Sequence, residues 1–390
     1  LFANKIAYLG HIFSLISMYL TIAKLCGFNY TKKLPITLLS VGIIVFAMIC
    51  TTGYLSWYYK SVTLEQVDGA AKLVKEYGPL HIVYLIYVLC YFTLMITTVV
   101  QSIVMKKEDI RIRDPFVLPY QGKYYMYGTG MPGAEDIDAG RQFWCYISTD
   151  LENWSEPVCC FDAPDCFWGE KNFWAPEVHY YNGKFYLLGT FLADGKKRAT
   201  QALVADKPEG PYHGFGEPLT PADWMCLDGT LYLEDGRPYL VFCHEWLQVG
   251  DGEMAVVPLK EDLSAADGEP VILFKASQSG WAEDIRPGGR CGIITDGPWL
   301  INEGEKLTMF WSSFRGGEYA VGMAESESGS VYGPWKHLDR LLFEKNGGHG
   351  MMFDGFDGKR YFALHSPNDH PLERACFYEM EKRNGAYSLK

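Results

Sequence analysis

The sequence predicts an all-β five-bladed β-propeller preceded by an all-α membrane region of three transmembrane helices. Two observations support this prediction: a short β-hairpin unit recurs five times after residue 110, and three long apolar segments lie before it. Charge divides the chain at the same point. Residues 1–110 hold nine Lys and Arg against five Asp and Glu, which leaves 26 basic and 42 acidic residues for the remainder. We therefore predict a membrane domain over residues 1–105 and a propeller domain over residues 111–390.

Each apolar segment of the first domain is long enough to cross a bilayer. Lys24 is the only charged residue within the three segments. A hydrocarbon core of about 30 Å requires about 20 apolar residues in a helix. The predicted transmembrane helices cover about residues 8–28, 34–58 and 80–104.

The flanking charges indicate an orientation in the membrane. Lys32 and Lys33 follow the first segment and Lys106 and Lys107 follow the third, whereas the loop over residues 60–79 is mixed in sign. Because basic residues collect on the cytoplasmic side, we expect the propeller in the cytoplasm. Eleven cysteines without regular spacing favour free thiols and a reducing compartment, which agrees with that placement.

Two runs in this region, Gly53 to Tyr59 and Glu76 to His81, resemble the N-terminal seven-helix sensor region of bacterial histidine kinases. The resemblance extends over about 100 residues and includes only part of the seven helices. No kinase-like sequence follows, so it implies no signalling activity. The junction from Val104 to Arg113 has no linker composition, which leaves open a natural fusion or an artefact of gene assembly. In the second case we expect a cytoplasmic propeller without a membrane part.

The propeller prediction comes from a repeated unit. A turn glycine followed by an apolar, aromatic strand recurs at intervals of 61, 53, 68 and 54 residues, and another short apolar strand precedes each glycine. Each pair of strands predicts a β-hairpin. About four strands per repeat, five times over, is typical of a propeller, whereas a β-sandwich does not contain five copies of one unit. The turn glycines are Gly122, Gly183, Gly236, Gly304 and Gly358.

The first strand of each propeller blade lines the central channel, so equivalent residues of these strands converge. Counting back eight residues from the turn glycine reaches Asp114, Asp228 and Asp296 in the first, third and fourth repeats. A cluster of carboxylates suits glycoside hydrolysis, in which one activates water, one protonates the leaving oxygen and one adjusts a neighbour's pKa. The competing interpretation is that each aspartate caps a turn. The second and fifth repeats give Ala175 and Gly350, which follows His349.

Four segments that open blades are similar to motifs of glycoside hydrolase family 43. This inverting family contains β-xylosidases, α-L-arabinofuranosidases and arabinanases, and the resemblance covers residues 111–390. It implies a glycoside hydrolase acting on O-glycosyl compounds of pentose-containing saccharides. It further implies that Asp114 is the general base and that Asp228 raises the pKa of the acid and orients it. The similar segments are Arg113 to Val117, Trp174 to Val178, Leu227 to Thr230 and Gly347 to Gly350.

The general acid has two candidates. The family acid is a glutamate followed by Gly-Pro, and this chain has Asp296 before Gly297 and Pro298, with a side chain one methylene shorter. Glu245 is the alternative, since it ends the second strand of the third repeat, and that strand returns to the face where Asp228 lies. Position along the strand favours Asp296.

Further residues next to the motifs are candidates for substrate binding. Trp174, Trp246 and Trp299 are expected to offer aromatic surfaces to sugar rings. Glu177, two residues out of step with the aspartates, is expected to bind sugar hydroxyls or to brace a loop. His349 is a candidate to bind substrate or to hold a Ca²⁺ ion on the axis, as in some members of the similar family; its competing interpretation is a hydrogen-bonded core histidine. No cofactor is predicted to be required.

The expected partners are oligosaccharides or polysaccharide fragments, together with the membrane through the N-terminal helices. Nucleic acid is excluded as a partner of the acidic propeller, since phosphate binding needs a basic face. A propeller that binds sugars without cleaving them, tethered to a membrane as a sensor, is the alternative function.

Overall fold

The computed structural model describes residues 2–26, 28, 30–52, 54–67, 70–102, 104–285, 292–304, 306–383 and 385–390. The chain divides into two compact units, Leu1–Val104 and Met105–Lys390. Gly53, which begins one of the runs that resemble the kinase sensor region, lies outside the described residues.

Among the described residues of the first unit, three helices are long and apolar enough to cross a membrane. The second helix ends at Cys50 rather than at residue 58. There the Thr51 hydroxyl donates to a backbone carbonyl at 2.6 Å and the Thr52 hydroxyl donates to the next at 2.7 Å. The same two carbonyls, of Met48 and Ile49, also accept the backbone N–H groups of Thr51 and Thr52 at 3.2 Å, so the last turn of the helix is closed by both kinds of bond. The helices are Phe2–Leu25, Lys33–Cys50 and His81–Ser102.

A β-hairpin occupies the segment for which the sequence predicted a loop of mixed charge. Its antiparallel strands are Tyr59–Val67 and Ala70–Tyr77. Tyr58 and Tyr59 are buried in the apolar core formed by the three helices. Tyr58 and Tyr59 therefore pack against the helical core as the chain enters the hairpin.

The second unit is a five-bladed β-propeller whose blades are antiparallel sheets. The first strand of blades two to five, and Arg113–Tyr120 of blade one, lies innermost and packs against its counterparts in the neighbouring blades. Short helical segments are Lys107–Asp109, Trp246–Val249 and Ala276–Ser279.

Blade one contains Met105–Lys106, Arg113–Tyr120, Lys123–Thr129, Gln142–Ser148, Asn153–Trp154 and Val158–Asp162. Blade two contains Lys171–Tyr181, Lys184–Leu192, Ala199–Ala205 and His213–Pro218. Blade three contains Cys226–Glu234, Arg237–His244, Glu253–Pro258 and Val271–Lys275. Blade four contains Asp296–Glu303, Lys306–Arg315, Glu318–Ser326 and Trp335–His337, and blade five contains Gly348–Asp354, Arg360–Ser366, Arg374–Arg383 and Ala386–Leu389.

A β-bulge interrupts the start of every inner strand. One residue of each bulge has a left-handed backbone conformation, with φ between +44° and +57°. Its N–H donates to a side chain of the preceding blade, at 2.7–3.2 Å, so each bulge is tied to its neighbour around the channel. The left-handed residues are Asp114, Ala175, Asp228, Gly297 and His349. Their acceptors are, in the same order, His365, Thr129, Thr190, Asp228 and Ser312.

The prediction that Asp296 is equivalent to Asp114 is wrong by one residue. In blade four Asp296 pairs directly with the second strand, and the bulge residue is Gly297. In blade five the bulge residue is His349 rather than Gly350. The count began at the turn glycine of each hairpin. That glycine is the second residue of the turn in blades one to three but the first in blade four, and the turn of blade five is longer, so the same count reaches a different position in those two blades.

Blade five closes the ring against blade one. Arg111 and Arg374 form an antiparallel bridge, and the N–H of Ile112 donates to the carbonyl oxygen of Glu373 at 3.4 Å. Apolar side chains of the two blades also share one core. The residues just before Asp114 are therefore held by strands from the other end of the propeller sequence.

Candidate active site

A cavity of about 200 Å³ lies at the bulged ends of the inner strands. Two sets of residues contribute to its wall: those at the bulge position, and those one residue earlier that pair with the second strand. The loop between the second and third strands of blade one adds Ile137. The complete lining is Arg113, Asp114, Thr129, Ile137, Trp174, Leu227, Asp228, Asp296, Tyr319 and His349.

Asp114 is the carboxylate held most firmly in its charged form. Thr129 donates to its Oδ2 at 2.6 Å, and the Nδ1 atoms of His349 and His365 lie 3.3 Å and 3.4 Å from its Oδ1. Burial by itself raises the pKa of Asp114. The opposing attraction of His349 and His365 in their protonated forms and of Arg113, with the Thr129 hydrogen bond, lowers that pKa to about 2. Asp114 is therefore ionised across the neutral range.

His365 supports Asp114 from behind. It is fully buried, its Nδ1 accepts the backbone N–H of Asp114 at 3.2 Å, and its Nε2 lies 3.0 Å from Asn368 Oδ1. This pattern requires a neutral ring with the proton on Nε2. Burial lowers the pKa of His365 to about 4, which agrees with that tautomer.

The pKa values of Asp228 and Asp296 are raised, in contrast to the lowered pKa of Asp114. Burial, followed by the charge of Asp114, raises the pKa of Asp228 well above its usual range, although the N–H of Gly297 donates to its Oδ2 at 3.0 Å. Burial, followed by the charge of Asp228, raises the pKa of Asp296 to about 8. The Tyr319 hydroxyl donates to Asp296 Oδ2 at 3.0 Å and partly opposes this rise. Near neutral pH the site thus combines the ionised Asp114 with a coupled pair of carboxyls, Asp228 and Asp296, that retains a proton.

Three polar lining residues were given no role from the sequence. Thr129 donates to Asp114 and accepts the backbone N–H of Ala175 at 2.7 Å, so it joins blades one and two. Tyr319 lies on the third strand of blade four, outside the inner-strand positions that were counted. Arg113 directly precedes Asp114, and its adjacency to a predicted base was the one available signal.

Of the three predicted tryptophans, only Trp174 lines the cavity. Trp299 lies three residues beyond Asp296, about 10 Å along an extended strand. Its ring packs near Phe116 and His179, with ring centroids 5.8 Å and 6.2 Å apart. Trp246 opens a short helix, and its ring lies against the backbone of Gly292. The structure therefore does not support Trp246 and Trp299 as sugar-binding surfaces of this cavity.

The two predicted glutamates lie behind the cavity wall. Glu245 is 6% exposed and forms an ion pair with Arg198. Burial raises its pKa, and the Arg198 charge opposes the rise. Glu177 is buried and lies 3.1 Å from Nε2 of His179, which favours bracing over contact with sugar. Neither side chain lines the cavity.

His349 lies between two of the carboxylates, with its Nδ1 3.3 Å from Asp114 Oδ1 and 3.5 Å from Asp228 Oδ2. Within the described residues, no group of three or more His, Cys, Asp or Glu side chains is placed to hold a metal ion. Ca²⁺ requires six to eight oxygen ligands, so the described side chains do not fit a directly coordinated calcium ion. Calcium on the axis stays a prediction, and no catalytic step below depends on it.

A family profile described as glycosyl hydrolases family 43 matches residues 109–383. This chain belongs to glycosyl hydrolase family 43. The family 43 propeller is therefore a glycoside hydrolase, as the blade-opening motifs indicated. A second profile, described as the N-terminal 7TM region of histidine kinase, matches residues 1–117 and overlaps the start of the family 43 match. The sequence resemblance of the first unit is thereby confirmed.

Solved and characterised relatives agree with the family 43 assignment. An endo-arabinase from Bacteroides thetaiotaomicron is 38% identical, with a TM-score of 0.67, 72% of this chain covered and 98% of that chain covered. An endo-1,4-beta-xylanase from the same organism is 26% identical, with a TM-score of 0.61 and coverage of 74% and 96%. Extracellular endo-alpha-(1->5)-L-arabinanase 2 of Bacillus subtilis is 23% identical over 278 residues, which is 67% of this chain. The chain spans 57% of the length of that arabinanase.

The raised pKa of Asp296 predicts a pH-dependent cost to stability. The folded protein keeps the Asp296 proton up to about pH 8, whereas the unfolded chain releases it near 3.8. Folding binds a proton in this window, so the contribution of this group to stability falls as pH rises from about 4 to 8. Asp296→Asn cannot ionise, and we expect it to be more stable than wild type at pH 8 by up to about 5 kcal/mol.

The measurement is the free energy of unfolding of the propeller at pH 4 and pH 8. Unfolding is monitored by near-ultraviolet circular dichroism of the full chain in detergent. The control is Asp165→Asn, which changes an exposed carboxyl. A stability difference between Asp296→Asn and wild type that does not grow with pH would contradict the raised pKa.

Proposed function

We propose that this family 43 propeller cleaves α-1,5-linked L-arabinose chains with inversion of configuration. Asp114 acts as general base, Asp296 as general acid, and Asp228 as the carboxyl that keeps the pKa of Asp296 high. The supporting observation is the contrast within one cavity between Asp114, with a pKa of about 2, and Asp296, with a pKa of about 8. Those values supply a proton acceptor and a proton donor at the same neutral pH.

The proposed reaction balances its protons in a single displacement. A water molecule gives a proton to the Asp114 carboxylate while its oxygen attacks the anomeric carbon. The bond to the leaving glycosidic oxygen breaks, and Asp296 gives that oxygen its proton. The products are a sugar hemiacetal of inverted configuration and a shortened chain with a free hydroxyl. Exchange with solvent returns the proton from Asp114 and restores the proton on Asp296.

Asp296 is the better supported of the two acid candidates. It lines the cavity with Asp114 and Asp228, and Tyr319 fixes its carboxyl group. Glu245 instead pairs with Arg198 inside the protein. Burial raises the pKa of Glu245 despite the opposing charge of Arg198, so it is the position of Glu245 outside the cavity lining that disfavours it as the acid.

Arabinan is favoured as the substrate because the endo-arabinase is 38% identical to this chain, against 26% for the xylanase. A β-xyloside is the second substrate class, as the sequence resemblance allowed. Sugar binding without hydrolysis is the alternative function, and the match of the first unit to a kinase sensor region favours it.

The decisive experiment compares wild type and Asp114→Asn on linear α-1,5-arabinan and on xylan. We expect reducing ends to appear from arabinan with wild type, and the rate to fall by at least about 10³-fold in the variant, since an asparagine cannot accept the proton of the attacking water. Proton NMR of the first product should show the β-anomer. Asp165→Asn is the control and should retain the wild-type rate.

Equal rates for wild type and Asp114→Asn would remove Asp114 as the base. Saccharide binding measured by calorimetry, with no hydrolysis of either polymer, would favour the sensing alternative.

A second prediction concerns the pH profile. The Tyr319 hydroxyl donates to Asp296 and lowers its pKa, so Tyr319→Phe should raise that pKa and move the basic limb of kcat/KM to higher pH, by about 0.5 to 1 unit. The control is Tyr332→Phe, since Tyr332 is 42% exposed and does not line the cavity. A basic limb that stays in place in Tyr319→Phe would argue against Asp296 as the acid.

We also propose that the propeller lies on the cytoplasmic side, supported by the lysine pairs that follow the first and third helices. The Bacillus subtilis arabinanase, which is named extracellular, favours the opposite side. Cys159 and Cys166 are exposed on the propeller and report its location. A membrane-impermeant maleimide should label them only after cells are permeabilised, with the Cys159→Ser/Cys166→Ser variant as background; labelling in intact cells would place the propeller outside.

A further inference from the structure

A buried ion pair supports the cavity wall from behind. Arg198, on the path into the third strand of blade two, and Glu245, at the end of the second strand of blade three, are each 6% exposed. The Nη1 of Arg198 donates to Oε2 of Glu245, and its Nη2 donates to Asn172 Oδ1 at 3.3 Å. Two buried charges are stable in this position only because they neutralise each other.

The same guanidinium lies over the ring of Trp174. The Cζ of Arg198 is 4.5 Å from the ring centroid, which is stacking distance for a cation on an indole. Trp174 also lines the catalytic cavity. Arg198 therefore covers one side of the only tryptophan that the cavity presents among the described residues.

The indole is fixed at its edge as well. Trp174 Nε1 donates to Asp138 Oδ1 at 2.6 Å, and the amide of Asn172 donates to the same oxygen at 3.1 Å. Asn172 thus connects Asp138 to Arg198. Ring face and ring edge are both held by polar groups that connect to Glu245 through Arg198.

We propose that Glu245 is a positioning residue: through Arg198 it holds Trp174 in the orientation that binds the saccharide chain. This rests on the proposed function, in which the cavity takes an arabinan. A pentose ring has one apolar face of C–H groups, which packs on an indole of fixed orientation. Because the ring is already ordered, binding loses less conformational entropy. Without Glu245, Arg198 becomes an uncompensated buried charge and moves toward water, away from the indole.

The kinetic test uses the full chain in detergent, with α-1,5-arabino-oligosaccharides as substrate. Glu245→Gln and Arg198→Lys should each raise KM by about 5- to 20-fold, with kcat within about twofold of wild type and the basic limb of the pH profile unmoved. Arg198→Lys keeps the charge but loses the planar group that stacks, so it controls for loss of charge alone.

A double-mutant cycle ties the effect to the tryptophan. If Glu245 acts through Trp174, adding Glu245→Gln to Trp174→Ala should raise KM less than about twofold further. A full additional rise in the double variant would overturn the proposal. If Glu245→Gln instead lowered kcat by about 100-fold or more and removed the basic limb, the proposal would be overturned in favour of Glu245 as the acid.

A readout without ligand keeps the test independent of the proposed function. In protein labelled with 5-fluorotryptophan, the ¹⁹F resonance that disappears in Trp174→Phe is that of Trp174. Glu245→Gln should shift and broaden this resonance, and an unchanged resonance would overturn the proposal even if the variant had lost stability. Failure of the proposed function has a different signature: wild type does not hydrolyse arabinan, while the Trp174 resonance still responds to Glu245→Gln.

Discussion

Five backbone N–H groups, one at the bulge of each inner strand, hold the blades around the channel, and the site depends on them. A left-handed conformation costs a residue with a side chain roughly 1–2 kcal/mol, and here each is maintained by a hydrogen bond to the blade before it. Aspartate tolerates this conformation better than most residues. The bulge turns Asp114, Asp228 and His349 toward one cavity, so the backbone strain and the convergence of functional groups have the same origin.

The pKa values of Asp114 and Asp296 differ because the two carboxyls have different numbers of polar and charged partners. Asp114 receives two imidazoles, a guanidinium and a threonine hydroxyl, enough to outweigh burial. Asp296 receives the Tyr319 hydroxyl and the attraction of His349, which are too little to offset burial and two negative neighbours. A cluster arranged in this way destabilises the fold at neutral pH. Active sites commonly lower the stability of a protein in this way, because their groups are arranged for chemistry rather than for stability.

The propeller fold and part of the candidate site could be predicted from the sequence. A repeated hairpin, and the position of a residue in the first strand of that hairpin, are local properties of the sequence. Asp114 and Asp228 were placed by counting back from the turn glycines. In blade four the glycine is the first residue of the turn, so the same count reached Asp296 instead of the bulge residue Gly297. Thr129 and Tyr319 reach the cavity from second and third strands, for which no count was possible. Trp299 lies three residues farther along its strand than Asp296 and does not line the cavity. The ion pair of Arg198 with Glu245 joins two blades, and no spacing in the sequence encodes it.

The closure of blade five on blade one has a consequence for the order in which the protein is made. Asp114 is synthesised early, yet two of the groups that set its charge state, His349 and His365, belong to the last blade. Until that blade emerges from the ribosome, Asp114 lacks both imidazole neighbours, although most of the surrounding strands already exist. A nascent or truncated chain therefore contains most of the cavity before the two histidines that contact Asp114 are present, and the site is completed only when the final blade folds.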